Sequence, residues 1–134
     1  MKHTTRIYKK YYLNSHEFFS RDILDIRLII THNCNYTCEY CYDLQKRHST
    51  TYIDLNAVYA FITTQCNKHK KHILLTILGG EPTLHPDLYE FCKKVASLEY
   101  VLGICIYTNF TADNNYYLKF LNMLKLKFIL SAHI

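Results

Sequence analysis

The sequence has no tryptophan and only three glycines among its 134 residues. Its N-terminal residues are basic, but no continuous apolar run follows them, so no secretory signal peptide is expected. No stretch approaches the roughly 20 apolar residues that a membrane-crossing helix requires. Cytoplasmic residence is the expectation, in a compartment that keeps thiols reduced, and the six cysteines are not read as a disulfide framework. Low-complexity linkers and internal repeats are also missing, and the length suits one domain with a moderate core. The net charge of +5 gathers in short runs such as Lys9-Lys10 and His69-Lys70-Lys71-His72. Such runs attract phosphate backbones non-specifically, but no nucleic-acid readout motif accompanies them, so a nucleic-acid partner is not expected. Tyrosine is abundant, with 13 residues, and packing at half-buried positions is the plain expectation for it.

Cysteine, by contrast, is concentrated. In Cys34-Asn35-Tyr36-Thr37-Cys38-Glu39-Tyr40-Cys41 three thiols fall within eight residues. Thiols at this density in a chain without a secretion signal usually hold a metal or a cluster. Three readings are open on the loop alone. A cubane iron–sulfur cluster with three protein ligands keeps one iron open to bind and activate a small molecule. A zinc site with His32 or His48 as fourth ligand is the rival, because Cys3His sites are common. Positions 34, 38 and 41 could also form the buried stripe of a helix. Asn33, Asn35, Tyr36 and Thr37 weigh against that last reading, being residues that favour turns and caps.

The rest of the chain alternates strand and helix. Residues 1–24 read as an N-terminal extension, and residues 25–31 as a first strand whose continuous Leu28-Ile29-Ile30 suits a parallel sheet covered on both faces. After a polar connection over residues 42–52, Asp54 reads as a helix N-cap. Leu55, Val58, Tyr59, Ile62 and Cys66 follow at helical spacing. A second strand at 73–78 ends in Gly79-Gly80, and a second helix starts near Pro86 with Leu88, Phe91, Cys92, Val95 and Leu98 as its buried stripe. A third strand covers 102–108 and contains Cys105. A third helix is expected over 113–125, with Leu118, Leu121 and Leu124 as apolar positions, and a fourth strand over 127–132. This pattern predicts right-handed βαβ crossovers and a parallel sheet. Cys66, Cys92 and Cys105 are expected to be structural, and His85 a loop residue.

Ligands of parallel α/β sheets gather at the C-terminal ends of strands. Cys34, Cys38 and Cys41 follow strand one, Gly79-Gly80-Glu81-Pro82 follows strand two, Thr108-Asn109 strand three, and Ser131 and His133 lie at the end of strand four. Chance would not place these motifs on one rim, which strengthens the cluster reading over zinc.

CxxxCxxC with an aromatic residue, Tyr40, before its last cysteine resembles the signature of the radical S-adenosylmethionine (SAM) superfamily. Gly-Gly-Glu-Pro about 40 residues later resembles the family's second motif. The resemblance implies a partial TIM-like barrel and a 4Fe–4S cluster held by Cys34, Cys38 and Cys41, with SAM chelating the fourth iron. It implies SAM binding by Gly79, Gly80 and Glu81, the glycines leaving backbone open to the ligand. Tyr40 is expected beside the adenine and Ser131 near the ribose. Asn109 matches the middle of the family's frequent Thr-Asn-Gly, with Phe110 in place of the glycine. The implied reaction is reductive cleavage of SAM, giving a 5′-deoxyadenosyl radical that takes hydrogen from a substrate, a peptide or small metabolite. The implied partner is a flavodoxin or ferredoxin electron donor. Because the family barrel commonly has six strands, residues 25–134 are expected to supply the N-terminal half to two-thirds of the core domain, truncated after about four strands. The alternative is a non-catalytic zinc or iron–sulfur module.

Overall fold

A computed structural model describes residues 23–38, 41 and 50–131. Four strands, β1 (Ile23–Ile29), β2 (His72–Leu78), β3 (Val101–Thr108) and β4 (Leu126–Leu130), form one sheet in sequential order. Every neighbouring pair is parallel. Helices α1 (Leu55–His69), α2 (Leu88–Ala96) and the short α3 (Asn114–Leu118) connect them. This is the expected partial barrel. Among the described residues no helix is long and apolar enough to cross a membrane.

Period-two alternation divides each strand between two faces. Ile73, Leu75 and Ile77 of β2 and Ile104 and Ile106 of β3 join the core with Leu55, Ile62 and Cys66 of α1 and Leu88, Phe91, Cys92 and Val95 of α2. Cys66 and Cys92 are therefore core residues, as their helical spacing predicted. Burial also pushes the Cys92 thiol well above its ordinary value. The opposite face carries Asp25 and Arg27, an exposed ion pair at 3.7 Å, and Cys105, which neighbours Thr76 and Lys127 in register. Burial pushes the Cys105 thiol up to about 11, with Lys127 pulling it back.

The ends of α1 follow from local chemistry. The Asp54 carboxylate accepts from the Asn56 and Ala57 amides, as the N-cap reading expected. At the other end Lys70 turns left-handed (φ 50°), and its amide donates to the Cys66 carbonyl.

Several boundaries differ from expectation. β1 begins at Ile23, two residues inside the stretch read as an extension, and ends at Ile29 rather than at residue 31. The second helix starts at Leu88, because a 3-10 turn over Pro82–Leu84 and the His85–Asp87 segment come first. The largest difference is α3, which ends at Leu118 instead of continuing to residue 125. Leu118, Leu121 and Leu124, expected as the apolar positions of a longer third helix, are 54%, 69% and 77% exposed. Aromatic residues take their place: Phe120 is buried and meets Tyr89, Tyr116 and Phe128 at ring separations of 5.0–5.4 Å. A large ring buries more apolar surface than a leucine and locks the segment into turns. The leucine spacing lost to the aromatic residues.

Both α1 caps are open to test by chemical unfolding of the apo chain. Asp54→Ala should lower stability by about 1 kcal/mol. Lys70→Gly should raise it by roughly 0.5–1 kcal/mol by removing left-handed strain.

Candidate functional site

Backbone hydrogen bonding continues past the strand ends and builds the rim. The Ile30 amide donates to the Leu78 carbonyl (3.1 Å), Gly80 to Thr31 (2.9 Å) and Glu81 to Asn33 (2.8 Å). The chain leading into Cys34 is thereby fastened to the Gly-Gly-Glu segment. A third segment braces it from outside. Thr31 bridges Tyr52, the Ile53 amide donates to the Ile30 carbonyl, and the Asn33 side chain donates to the Tyr52 hydroxyl.

Gly79 and Gly80 owe their missing side chains to this fastening. A Cβ on Gly79 would come within 2.6 Å of the Thr31 carbonyl oxygen, and one on Gly80 within 2.6 Å of the His32 carbonyl oxygen and closer still to that of Asn33. Neither glycine has a left-handed φ, so close approach is the whole reason for both. Both glycines line the cleft, and the side on which a Cβ would stand is taken by the backbone of Thr31, His32 and Asn33.

Glu81 is the second difference from the expected picture. The residue is 1% exposed, and its carboxylate accepts four hydrogen bonds. Oε1 takes the Thr83 hydroxyl (2.7 Å), the Thr83 amide (3.3 Å) and the Thr108 hydroxyl (2.6 Å), and Oε2 takes the Asn109 amide (2.7 Å). A carboxylate accepts about four such bonds. Its side chain is thus occupied in holding the ends of β2 and β3 together.

The cysteines sit on this frame. Cys34 and Cys38 line a cleft of about 280 Å³ together with Tyr36, Gly79, Gly80, Glu81, Tyr107, Thr108, Asn109 and Ser131. That volume is near the lower bound for small-molecule sites. The Cys41 amide donates to the Cys38 carbonyl (3.1 Å), closing a turn between the last two cysteines. All three thiols are free. The Cys34 thiol is raised by burial, lowered by the Tyr36 amide that donates to its sulfur (3.5 Å), and raised further by Glu81, Cys38 and Cys41. Yet among the described residues no three His, Cys, Asp or Glu side chains converge on a point where one metal ion could sit. Zinc needs sulfurs about 2.3 Å from a common centre, and the loop lacks that convergence.

Of the remaining expected residues, Ser131 lines the cleft, with its amide donating to the Thr108 carbonyl (2.8 Å). Tyr40, His48 and His133 lie outside the described residues. Asn109 is in the cleft wall, and Phe110 adopts φ 57°. It therefore keeps the left-handed turn that the expected glycine would give freely, with its ring stacked on Tyr117 at 4.9 Å. His85 is a brace rather than a loose loop residue. It is buried, its Nδ1 accepts from the Asp87 amide (3.1 Å), and its Nε2 donates to the Ile53 carbonyl (2.8 Å). Sequence reading gave no role to Thr83, Asn35 or Thr111. A hydroxyl two residues after a buried glutamate was the available signal for Thr83; Asn35 and Thr111 meet only through the fold.

Residues 28–129 match the family model of the Radical SAM superfamily. The GTP 3′,8-cyclase of Haemophilus ducreyi is 32% identical over 94 residues, covering 68% of this chain and 27% of that protein. The GTP 3′,8-cyclase of Pseudomonas fluorescens is 28% identical over 93 residues, with the same coverage of 68% and 27%. A probable GTP 3′,8-cyclase of Saccharolobus islandicus is 30% identical over 82 residues, or 61% of this chain and 26% of that protein. The chain thus spans about a quarter of the length of the curated relatives it matches. It belongs to the radical SAM superfamily. Membership carries the family's cofactors, a 4Fe–4S cluster and SAM.

Two substitutions test the frame. Glu81→Gln puts an amide donor among donors, and should destabilise the apo chain in urea by about 2–3 kcal/mol, the scale of hydrogen bonds to a charged group. Gly80→Ala should cost iron loading as well as stability, because its Cβ meets the backbone just before Cys34. A Gly80→Ala chain that loads iron normally would show that the loop tolerates the shift.

Proposed function

We propose that this chain forms the cluster- and SAM-binding part of a radical SAM enzyme. Cys34, Cys38 and Cys41 would hold three irons of a 4Fe–4S cluster. Gly79, Gly80, Glu81 and Ser131 would line the place of SAM, with Tyr40 at its adenine. The observation carrying this reading is that two of the three thiols and the Gly-Gly-Glu segment wall one cleft at the C-terminal ends of the strands. Glu81 acts chiefly by fixing the rim, since four donors already occupy its carboxylate. With the Gly80 and Glu81 amides bonded to Thr31 and Asn33, the carbonyls of Gly79 and Gly80, rather than that carboxylate, are the polar groups of the segment to receive a donor from a ligand.

When bound, the cluster and SAM supply one-electron reductive cleavage and a carbon radical that takes hydrogen from a substrate. The residues of this chain hold the cysteine loop at the cleft and line it with Leu78 and Tyr107 beside Thr108, Asn109 and Ser131. The substrate, a peptide or small metabolite, and a flavodoxin or ferredoxin electron donor belong to this proposal. So does the division into an extension over residues 1–24 and a core over 25–134, with Ile23 and Leu24 drawn into the core by β1.

Anaerobic reconstitution with iron and sulfide tests the ligand set. Ala variants of Cys34, Cys38 or Cys41 should each lose stable cluster assembly. Ala variants of Cys66, Cys92 and Cys105 should keep iron and sulfide, any loss tracking reduced stability. Equal loss at Cys92, a buried residue of α2, would sink the three-ligand assignment. The SAM half is read separately, as a change in the reduced cluster's EPR signal on adding SAM.

A further inference from the structure

The loop after β3 reaches across the cleft mouth to the cysteine loop through a closed ring of three side chains. The Asn35 Nδ2 donates to the Thr111 hydroxyl (2.7 Å), that hydroxyl donates to the Asn109 Oδ1 (2.6 Å), and the Asn109 Nδ2 donates back to the Asn35 Oδ1 (2.9 Å). Each group gives one hydrogen and receives one, so all three donors run the same way around the ring. Such chains of hydrogen bonds polarise and strengthen one another.

Two of the three members are fixed by the loop after β3. The Asn109 amide is anchored on the buried Glu81 carboxylate (2.7 Å). Phe110 turns left-handed at φ 57°, and the Thr111 amide folds back onto the Asn109 Oδ1 (3.2 Å). Asn35 is the free-standing member, and it directly follows Cys34. Its carbonyl carbon shares a peptide plane with the Tyr36 amide, and that amide donates to the Cys34 sulfur at 3.5 Å. Holding the Asn35 side chain therefore fixes the peptide that aims an N–H at the first thiol of the motif.

We propose that Asn35, Asn109 and Thr111 are positioning residues that set the N–H···S hydrogen bond on Cys34 and, through it, the reduction potential of the group that Cys34 ligates. Amide hydrogen bonds to ligating sulfurs are one of the protein's means of setting a cluster's potential. A donor aimed at the sulfur stabilises the more negative, reduced state, so weakening it lowers the potential. This inference rests on the proposed function for its second half only. The ring and the N–H···S bond belong to the apo chain.

The experiment therefore has two arms, on wild type and on Thr111→Val, Asn109→Asp and Thr111→Ser. Thr111→Val removes the hydroxyl at nearly constant shape. Asn109→Asp removes the donor to Asn35, and Thr111→Ser keeps the ring. In the apo chain, hydrogen exchange of the Tyr36 amide should become about tenfold faster in Thr111→Val and Asn109→Asp, near the upper end for loss of one hydrogen bond. Thr111→Ser should match wild type. In the reconstituted chain, an EPR-monitored redox titration should show a more negative midpoint for the first two and an unchanged one for Thr111→Ser. Unchanged Tyr36 exchange in both ring-breaking variants would overturn the positioning role. Faster exchange with an unmoved potential would overturn the tuning role. If the variants show the exchange effect but the wild-type chain assembles no cluster, the ring stands and the proposed function is defeated instead.

Discussion

One buried carboxylate holds the working rim together. Glu81 comes at the end of β2, yet its oxygens take donors from Thr83 on its own turn and from Thr108 and Asn109 at the end of β3. Its amide meanwhile donates to Asn33 on the loop after β1. Three consecutive strand ends meet at one residue. Burying an ionised group is unfavourable unless hydrogen bonds replace its hydration, and here four donors replace it. Charge-assisted bonds of this kind are stronger than neutral ones. The rim is accordingly ordered by the chain itself before any cofactor binds, which lowers the ordering cost that a ligand would otherwise meet.

Much of this was legible in the sequence, and for physical reasons. Parallel strands buried on both sides read as continuous apolar runs, so β2 and β3 were located to within a residue. The buried stripes of α1 and α2 followed from helical spacing, and the short distance between the cysteines singled out the loop. What stayed illegible depends on contacts between distant segments. Nothing local says that Gly80 faces the Asn33 carbonyl or that Glu81 faces Thr108. The roles of both were therefore read as contacts to a ligand, when their first duty is to the fold. The third helix failed for a related reason. Leucine spacing was the stronger local pattern, but Phe120 with Tyr89 and Phe128 closed the core first and left three leucines outside.

Phe110 shows how a departure from a motif can keep its geometry. A phenylalanine at φ 57° carries backbone strain that glycine avoids. That strain is opposed by contacts of the ring with Tyr117 and Phe128. The turn survives and delivers the Asn109 side chain to Asn35, so the missing glycine is compensated by packing from α3 and β4.

The character of the metal centre follows from the same frame. A lone zinc ion draws its ligands to one point, with thiolates about 2.3 Å from it, and a loop built for zinc would bring its sulfurs together. Here the loop is fixed on either side of Cys34, by the β2 extension at Thr31 and Asn33 and by Asn109 and Thr111 at Asn35. Within those restraints Cys34 and Cys38 face the cleft, and no three candidate ligands among the described residues converge. A polynuclear cluster, whose ligands attach to different irons, does not require its thiols to meet at one point. Membership of the radical SAM superfamily, and not the cysteine spacing alone, is what favours the cluster over zinc.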